Sequence, residues 1–392
     1  MAILVESEIE MTADLLRGVV GAVPDGIVEE RLAGPGPLRI KMGIDPTRPD
    51  LHLGHMVCLR RLAAFQRAGH TVVLVVGDAT ARVGDPSGRN KMRPVLEGAE
   101  VQANGTACVE KAGAVLDLTA AEVVHNSSWF DEMGFQDVVA LAARTTVARV
   151  VERDDFRKRM DAGQPVGMHE LLYPLMQGWD SVQVRADIEI GGTDQIFNLL
   201  MGRQLQELEG MDGQACLTWP LILGTDGRKM SKTYDNAISL EDGPSDIYGR
   251  VMSIPDDQMV DWFTLLTDED IEPALALIAS DPRQAKGRLA GLITSWAHGD
   301  DASNQAAAEF LRMFADGGRP DDMPEVNWSG GGILDLVVSA GFASSKSEAR
   351  RLVQQGGVRV DDQVVEDIAA QVAGDAQHLQ VGKRRHARLV RA

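Results

Sequence analysis

The chain has 392 residues, of which 44% are hydrophobic and 25% are charged, an ordinary composition for a folded protein with more than one domain. No apolar run is long enough to span a membrane, and the first residues lack the basic and apolar regions of a secretory signal. Three widely spaced cysteines indicate reduced thiols, so we expect a cytoplasmic protein without membrane attachment or a metal site.

The charge is unevenly distributed along the chain. A formal net charge of −19 excludes a protein that coats nucleic acid over its whole surface. Residues 331–392 hold nine lysine and arginine residues against seven aspartate and glutamate residues, a net +2, and the remainder carries −21. This asymmetry predicts an acidic body with a basic, nucleic-acid-binding tail, although a merely solvated tail would have the same charge.

The pattern along the first half of the chain alternates strands and helices. We predict a helix over residues 7–33, stopped by the glycines and prolines of residues 34–37. Apolar runs predict strands at residues 38–44, 72–76, 122–125, 186–192 and 216–223. Helical segments between them indicate an α/β, Rossmann-type parallel sheet, in which ligands bind at the carboxyl ends of the strands.

Two motifs at that edge predict a nucleotide site. The sequence HLGH (residues 52–55) follows the first strand, and its glycine lets a ligand approach between two imidazoles. Far downstream, KMSKT (residues 229–233) places two lysines three residues apart, as a triphosphate requires. Each motif alone is commonly an ordinary loop. In this order around an α/β core, they resemble the HIGH and KMSKS signatures of the class I aminoacyl-tRNA synthetases.

A glycine-rich loop follows the second strand and contains Asp85 in an Asp-Pro-Ser-Gly turn. A carboxylate in such a turn is commonly only an Asx cap. The stretch resembles the tyrosyl-tRNA synthetases, in which the matching aspartate holds the α-amino group of the amino acid. The same resemblance implies that Arg89 and Arg93 help the pyrophosphate to leave.

Residues 126–165 read as helices and contain a cluster of large side chains. Its members are Trp129, Phe130, Met133 and Phe135. Such side chains form a subunit interface if they are exposed, and core if they are buried. The pattern favours neither alternative.

Tyr173, Gln177 and Asp180 fall on one face of a predicted helix, where they would bind a small polar ligand or face water. Because the rest of the helix is largely apolar, we favour the ligand. The glycine pair and acid of residues 191–195 would admit a ribose, and Asp194 could accept from its hydroxyls. In the tyrosyl-tRNA synthetases, the matching tyrosine and glutamine bind the α-amino group and the helix aspartate accepts from the phenol.

Two positions depart from this resemblance. Lys41 stands where many members have a tyrosine that also touches the phenol, and Trp179 stands where a smaller or phenolic aromatic is frequent. They leave open a same-fold enzyme that adenylates another amino acid or uses an acceptor other than tRNA. An inactive, RNA-binding paralogue is a further alternative, which the intact HLGH and KMSKT motifs disfavour.

The resemblance implies an enzyme that activates L-tyrosine with ATP and transfers it to the 3′ end of tRNA. We expect a homodimer that uses Mg²⁺ as part of the ATP complex and holds no tightly bound cofactor. The predicted catalytic residues are His52, His55, Lys229, Lys232 and Thr47. The predicted ATP-binding residues are Gly43, Asp45, Gly54, Gly192, Asp194, Lys229, Met230 and Lys232. The predicted amino-acid-binding residues are Lys41, Asp85, Tyr173, Gln177, Asp180 and Gln195.

The chain after the lysine motif turns helical, and residues 317–332 have the composition of a linker. We predict a catalytic domain over residues 1–235, with a helical insertion at about 126–185, then a helical anticodon-side domain over 236–316 and a small domain over 333–392. The last resembles an RNA-binding module shared by ribosomal proteins and pseudouridine synthases. The residues predicted to contact RNA phosphates are Lys346, Arg350, Arg351 and Arg359.

Overall fold

The computed structural model describes residues 12–87, 98–230, 234–314, 323–382 and 385–391. The chain divides into two compact units, Met1–Asn304 and Gln305–Ala392. Within the described ranges, no helix is long and apolar enough to cross a membrane. The α/β class, with a parallel sheet followed by helices and a small α+β unit, agrees with the fold predicted from the sequence.

A six-stranded sheet forms the centre of the first unit. Its strands are β1 (Gly21–Val23), β2 (Arg39–Ile44), β3 (Thr71–Val76), β4 (Glu122–His125), β5 (Ile188–Gly192) and β6 (Ala215–Trp219). Their order is β1-β6-β5-β2-β3-β4, and all neighbours are parallel except β1 and β6. The chain therefore reverses its direction of sheet growth between β2 and β5, the position at which open α/β sheets bind ligands.

Helices cover this sheet and form the insertion before β5. They are α1 (Ile27–Leu32), α2 (Leu53–Arg67), α3 (Asp78–Val83), α4 (Gly98–Ala112), α5 (Ser127–Phe130), α6 (Phe135–Ala142), α7 (Val147–Val150), α8 (Asp154–Asp161), α9 (Tyr173–Val184) and α10 (Ile196–Leu208). Strand β3, with the sequence TVVLVV, is buried from its second residue onward because both faces of the sheet are covered. Helix α2 buries its apolar side chains beside β2 and β3.

A run of helices follows the sheet. It consists of α11 (Pro244–Val251), α12 (Met259–Leu266), α13 (Ile271–Ser280), α14 (Pro282–His298) and α15 (Asp300–Phe314). Helix α12 packs against both α2 and α14, and its Trp262 and Phe263 are fully buried. The helices up to Asn304 therefore belong to the same compact unit as the sheet.

Two elements of the first unit differ from their predicted extents. Residues 7–33 are not one helix, since Gly21–Val23 is strand β1 and pairs with β6. A Cβ at Gly21 would lie 2.5 Å from Thr218 Oγ1, so a larger residue there would require the Thr218 side chain to move. Strand β6 ends at Trp219 and not at Leu223, because the following residue is a proline without an N–H.

The second unit is a small α+β fold. Its elements are β7 (Glu325–Trp328), β8 (Gly331–Gly332), α16 (Ile333–Ser339), α17 (Lys346–Gln354), β9 (Val358–Val360), β10 (Gln363–Val364), β11 (Gln371–Val372), β12 (His378–Val381) and β13 (Arg385–Arg391). The strand order is β10-β9-β12-β13-β7, with β8 and β11 as a separate pair. The predicted linker 317–332 thus contains two strands, because Val326 and Trp328 pack into the core of this unit.

We expect Leu74→Ala to lower the free energy of unfolding of the first unit by about 2–5 kcal/mol, because it leaves a cavity at the buried strand β3. Leu74 is only 1% exposed. The same substitution at Leu208, which is 51% exposed, is the control and should change that free energy by less than about 0.5 kcal/mol. Urea unfolding followed by circular dichroism measures both, and equal effects would contradict the core placement.

Candidate active site

The histidine motif begins helix α2, just beyond the carboxyl end of β2. His52 is the N-cap residue, and its Nδ1 accepts from the Gly54 N–H at 3.1 Å. The His52 N–H donates in turn to Nδ1 of His55 at 3.2 Å, and the two ring centroids lie 4.0 Å apart. Because both Nδ1 atoms accept, each neutral ring carries its proton on Nε2 and can donate it to a ligand oxygen.

Both imidazoles are uncharged at neutral pH. Burial, together with the neighbouring His55 and Lys229, lowers the pKa of His52 to about 2. Burial likewise lowers the pKa of His55 to about 4. The motif therefore supplies hydrogen-bond donors, and positive charge for a phosphate chain must come from other residues.

Lys229 brings positive charge to the same edge of the sheet. Its Nζ donates to Asp194 Oδ2 at 2.9 Å, directly beyond β5, and its charge contributes to the lowered pKa values of both histidines. The side-chain amide of Asn236 holds the lysine loop by donating to Asp226 Oδ1 at 2.7 Å and to the Lys229 carbonyl at 3.1 Å. The predicted partner Lys232 lies outside the described residues.

Backbone pairing explains how motifs so distant in sequence meet. The Leu53 N–H donates to the Ile238 carbonyl at 3.0 Å, and His52 forms an antiparallel bridge with Ser239. The chain that leaves the lysine loop thus runs beside the start of α2. Met230, also predicted to contact ATP, is 3% exposed, and its N–H donates to the Ile222 carbonyl at 3.2 Å.

Asp45 connects the loop after β2 with helix α9. Its Oδ2 accepts from the Tyr173 hydroxyl at 2.8 Å, and its Oδ1 accepts from Thr80 Oγ1 at 2.7 Å. Burial, together with the nearby carboxylates of Asp45 and Asp85, raises the pKa of Tyr173 well above its usual value, so the phenol stays protonated. Thr47 lies in the same loop, where its N–H donates to the Asp45 carbonyl at 2.8 Å.

Asp85 is a carboxylate with partners on both oxygens. Oδ1 accepts from the Ser87 N–H at 2.9 Å and from Arg153 Nη2 at 3.3 Å, while Oδ2 accepts from Gln195 Nε2 at 2.9 Å. Burial alone would raise the pKa of Asp85, but the Arg153 charge and the hydrogen bonds from Ser87 and Gln195 outweigh it and lower the pKa. Asp85 therefore remains ionised and can attract an ammonium group.

Asn198 joins the polar side chains into one network. Its Nδ2 donates to Gln177 Oε1 at 2.8 Å and to Gln195 Oε1 at 2.9 Å, and its Oδ1 accepts from Arg153 Nη1 at 3.0 Å. Asn198 is fully buried and Arg153 is 4% exposed. The sequence predicted neither residue, because an isolated arginine or asparagine in a helical stretch has no spacing signal that sets it apart.

Asp180 lies on helix α9, as do Tyr173 and Gln177, and is almost completely buried. Its Oδ1 accepts from Trp129 Nε1 at 3.1 Å and its Oδ2 accepts from Asn126 Nδ2 at 3.2 Å. Burial raises the pKa of Asp180 to about 7, although the charge of Lys41 and these hydrogen bonds lower it. Trp129 is thus a partner of a predicted site residue, whereas Phe135 of the same aromatic cluster is 83% exposed.

Lys41 is fully buried on β2. Its Nζ forms an ion pair with Glu189 Oε1 at 3.0 Å and donates to Ser181 Oγ at 2.7 Å and to the Gln177 carbonyl at 2.9 Å. Lys41 and Glu189 are direct register partners on β2 and β5. The sequence holds a signal for this pair, since each is a single charge between apolar residues of a buried strand.

Two of the three predicted glycine contacts, Gly43 and Gly192, differ in the space around them. A side chain at Gly43 would meet no atom within 4 Å, so this position at the end of β2 is open to a ligand. A side chain at Gly192 would lie 2.8 Å from Asp194 Oδ1, so glycine is needed there to leave the acid in place. Arg89 and Arg93 lie outside the described residues. Among the residues that are described, no group of three or more His, Cys, Asp or Glu side chains could hold a metal ion.

The residues predicted to bind RNA lie in the second unit. Lys346, Arg350 and Arg351 are on helix α17, Arg359 is on β9, and all four are exposed. Lys346 forms an ion pair with Asp335 at 2.5 Å. The unit therefore presents cations to solvent on two adjacent elements, as contacts to phosphates require.

Comparison with known families and proteins gives matches over nearly the whole chain. The family model described as tRNA synthetases class I (W and Y) matches residues 35–315, and that of the S4 domain matches residues 333–377. A tyrosine–tRNA ligase of Thermotoga maritima is 47% identical over 97% of each chain. One of Salinibacter ruber is 46% identical over 97% of this chain and 96% of its own.

Solved structures share the fold. A C-terminally truncated mitochondrial tyrosyl-tRNA synthetase of Aspergillus nidulans has a TM-score of 0.65 at 23% identity, over 79% of this chain and 99% of its own. The tyrosyl-tRNA synthetase of Archaeoglobus fulgidus, complexed with L-tyrosine, has a TM-score of 0.63 at 20% identity, over 76% and 99%. At these identities the similarity shows the fold alone.

We expect Gly54→Ala to weaken ATP binding by about 10- to 100-fold, the loss of one or two good hydrogen bonds. A Cβ at Gly54 would lie 2.8 Å from Cε1 of His52, so the ring must move and its Nε2 loses its position. The control is Gly249→Ala, where no atom lies within 4 Å of the added methyl group. Isothermal titration calorimetry compares the two, and unchanged affinity in Gly54→Ala would contradict the proposed ring position.

Proposed function

The chain belongs to the class I tRNA synthetases of the tryptophan and tyrosine group, and we propose that it activates L-tyrosine with ATP and transfers the tyrosyl group to tRNA(Tyr). Relatives that are 43–47% identical over nearly all of the chain are tyrosine–tRNA ligases. Within the site, the observation that most supports tyrosine as the substrate is Asp180, a buried acceptor on the helix that also presents Tyr173 and Gln177.

The first step needs no protein nucleophile. The tyrosine carboxylate attacks the α-phosphorus of ATP, a new C–O–P linkage forms, and the bond to the β-phosphate oxygen breaks to release pyrophosphate. A terminal ribose hydroxyl of tRNA then attacks the carbonyl carbon and AMP leaves. Catalysis therefore rests on holding the two substrates in line and on stabilising charge at the phosphates.

We assign the ATP contacts to the edge between β2 and β5. The Nε2–H groups of His52 and His55 donate to phosphate oxygens, and Lys229 and Lys232 compensate the charge of the β- and γ-phosphates. Thr47 and Asp45 shape the loop that receives the nucleotide. The remaining contacts are with the ribose and the ring, and we assign them to Gly43, Gly54, Gly192, Asp194 and Met230.

We assign the tyrosine contacts to the network around α9. Asp85 is ionised and attracts the α-ammonium group, with Tyr173, Gln177 and Gln195 as hydrogen-bonding neighbours. Asp180 accepts from the phenol hydroxyl. Phenylalanine, which lacks this hydroxyl, would leave a buried carboxylate without its partner, and tyrosyl-tRNA synthetases are known for rejecting phenylalanine on that basis.

We propose that Mg²⁺ enters the site with ATP. The described part of the site offers no cluster of acidic side chains for a resident ion, which fits a metal held mainly by phosphate oxygens. Bound in this way, Mg²⁺ neutralises charge on the β- and γ-phosphates. Arg89 and Arg93 are proposed to assist at the departing pyrophosphate.

The second unit is proposed to hold tRNA. Its family match is the S4 domain, and Lys346, Arg350, Arg351 and Arg359 are proposed phosphate contacts. Such contacts position RNA without reading its sequence. We further propose that the enzyme acts in the cytoplasm, where its charged tRNA is used.

A homodimer is proposed from an apolar surface on the helical insertion. The exposed side chains are Phe135, Val138, Val139, Val147, Met160 and Met168. They lie within one stretch of about thirty residues that connects β4 to α9. Several large apolar side chains in one exposed region favour a protein interface over solvent.

We expect ATP–pyrophosphate exchange with tyrosine and with no other standard amino acid at comparable kcat/KM. Exchange with a different amino acid, or with none, would contradict the proposed function while leaving the fold unchanged.

Lys229→Ala should lower the rate of ATP–pyrophosphate exchange by about 10²- to 10³-fold, because it removes a cation from the phosphates. The neighbouring Arg228→Ala, which removes an exposed cation paired with Asp226, should retain nearly full exchange.

We expect Phe135→Asp to convert the dimer into a monomer, because a carboxylate would have to be buried at the interface. Sedimentation velocity at matched concentrations measures the change in mass. Leu208→Asp is the control, since Leu208 is an exposed apolar residue that lies outside the insertion. A wild-type monomer, or a Phe135→Asp dimer, would contradict this interface.

A further inference from the structure

A buried ion pair lies beneath the helix that carries the proposed tyrosine contacts. Lys41 on β2 and Glu189 on β5 are register partners where the sheet reverses its growth, and both side chains are at most 1% exposed. Burying two charges costs desolvation free energy, so such a pair is weak evidence for stability alone. Its place directly under α9 points to a role in the site.

The Lys41–Glu189 pair forms hydrogen bonds with one turn of α9. Lys41 Nζ donates to the Gln177 carbonyl at 2.9 Å and to Ser181 Oγ at 2.7 Å. Ser181 Oγ donates to Glu189 Oε2 at 2.9 Å, and Gln177 Nε2 donates to Glu189 Oε1 at 3.3 Å. Asp180 lies between these two anchored residues, so the position of its carboxylate depends on the pair.

We propose that Lys41 and Glu189 are positioning residues for tyrosine selection, which fix the turn around Asp180 and control how well its carboxylate accepts the phenol hydroxyl. This inference rests on the proposed function, since it concerns the contact that Asp180 makes with tyrosine. Neither residue needs to touch the substrate. Their charges act on Asp180 in opposite directions, because Lys41 lowers its pKa and Glu189 raises it.

At the start of α9, Asp45 and the Asp85–Arg153 pair face Tyr173. Further charged groups around the helix are engaged in pairs of their own. On the elements that pack against this helix, these pairs are Asp78 with His125, Arg82 with Asp131, Arg39 with Glu122, Glu170 with Arg159 and Arg203 with Glu207. The groups that face Asp180 itself are Lys41, Glu189 and the neutral donors Asn126 and Trp129. The buried pair is thus the main source of charge acting on Asp180.

The sign of the pH effect follows from the role of Asp180 as an acceptor. The ionised carboxylate accepts the phenol proton more strongly than the protonated acid does, so kcat/KM for tyrosine should fall as the pH drops below about 7. The pKa values of His52, His55 and Asp85 are lowered, which keeps these groups out of that range. Lys41→Met should move the fall to higher pH, and Glu189→Gln should move it to lower pH.

The experiment measures kcat/KM for tyrosine by ATP–pyrophosphate exchange between pH 5.5 and 8.5 at saturating ATP. We expect the midpoint of the pH profile to move by about half a pH unit or more, upward in Lys41→Met and downward in Glu189→Gln. The KM for ATP should change less than about twofold. At pH 6.5 the preference for tyrosine over phenylalanine should fall in Lys41→Met and rise in Glu189→Gln. Arg82→Met, which removes an exposed cation paired with Asp131, should leave the profile in place.

A double variant protects the test against misfolding. Lys41→Met combined with Glu189→Gln removes both charges, so its profile should return towards that of the wild type. If both single variants move the profile in one direction, or neither moves it, the pair is only structural and the inference is wrong. A wild-type enzyme without tyrosine-dependent exchange would instead overturn the proposed function itself.

Discussion

The pairing of β2 with β5 is the constraint on which the site depends. These strands are distant in sequence, yet their parallel register brings the loop that starts α2 and the loop that ends in Asp194 to one edge of the sheet. Strand β6 is the next neighbour of β5, so the lysine loop leaves the sheet at the same edge. Three segments that are distant in sequence therefore meet at one edge of the sheet.

Charge in this site is balanced locally, which reconciles a phosphate-binding function with a net charge of −19. Burial keeps the two histidines neutral, so they donate hydrogen bonds without adding to the charge. Lys229 is paired with Asp194, and Asp85 with Arg153. The Arg153 charge lowers the pKa of Asp85, so the carboxylate proposed to attract the substrate ammonium is ionised and its desolvation is compensated before the substrate arrives.

Local sequence patterns were sufficient for the parts of the fold that depend on short-range physics. The apolar run of β3 and the two signature motifs could be recognised, because burial on both faces and tight loop geometry restrict residue type. Strands β1 and β7 could not, since each forms only through pairing with a strand distant in sequence. Arg153 and Asn198 were missed for a similar reason, as their role comes from contacts across the fold rather than from spacing.

Lys41 shows how a departure from a family pattern becomes informative once its partner is known. Read alone, a lysine where many relatives carry a phenol suggested a different substrate. Its register partner Glu189 neutralises the charge of Lys41, and the pair is buried beneath α9. A lysine in place of the tyrosine therefore adds no net charge next to Asp180. A tyrosine at position 41 would offer one hydrogen bond to the substrate, whereas the Lys41–Glu189 pair is proposed to act on the acceptor Asp180. The proposed selection for tyrosine then depends on the electrostatics of Asp180, which no single position in the sequence encodes.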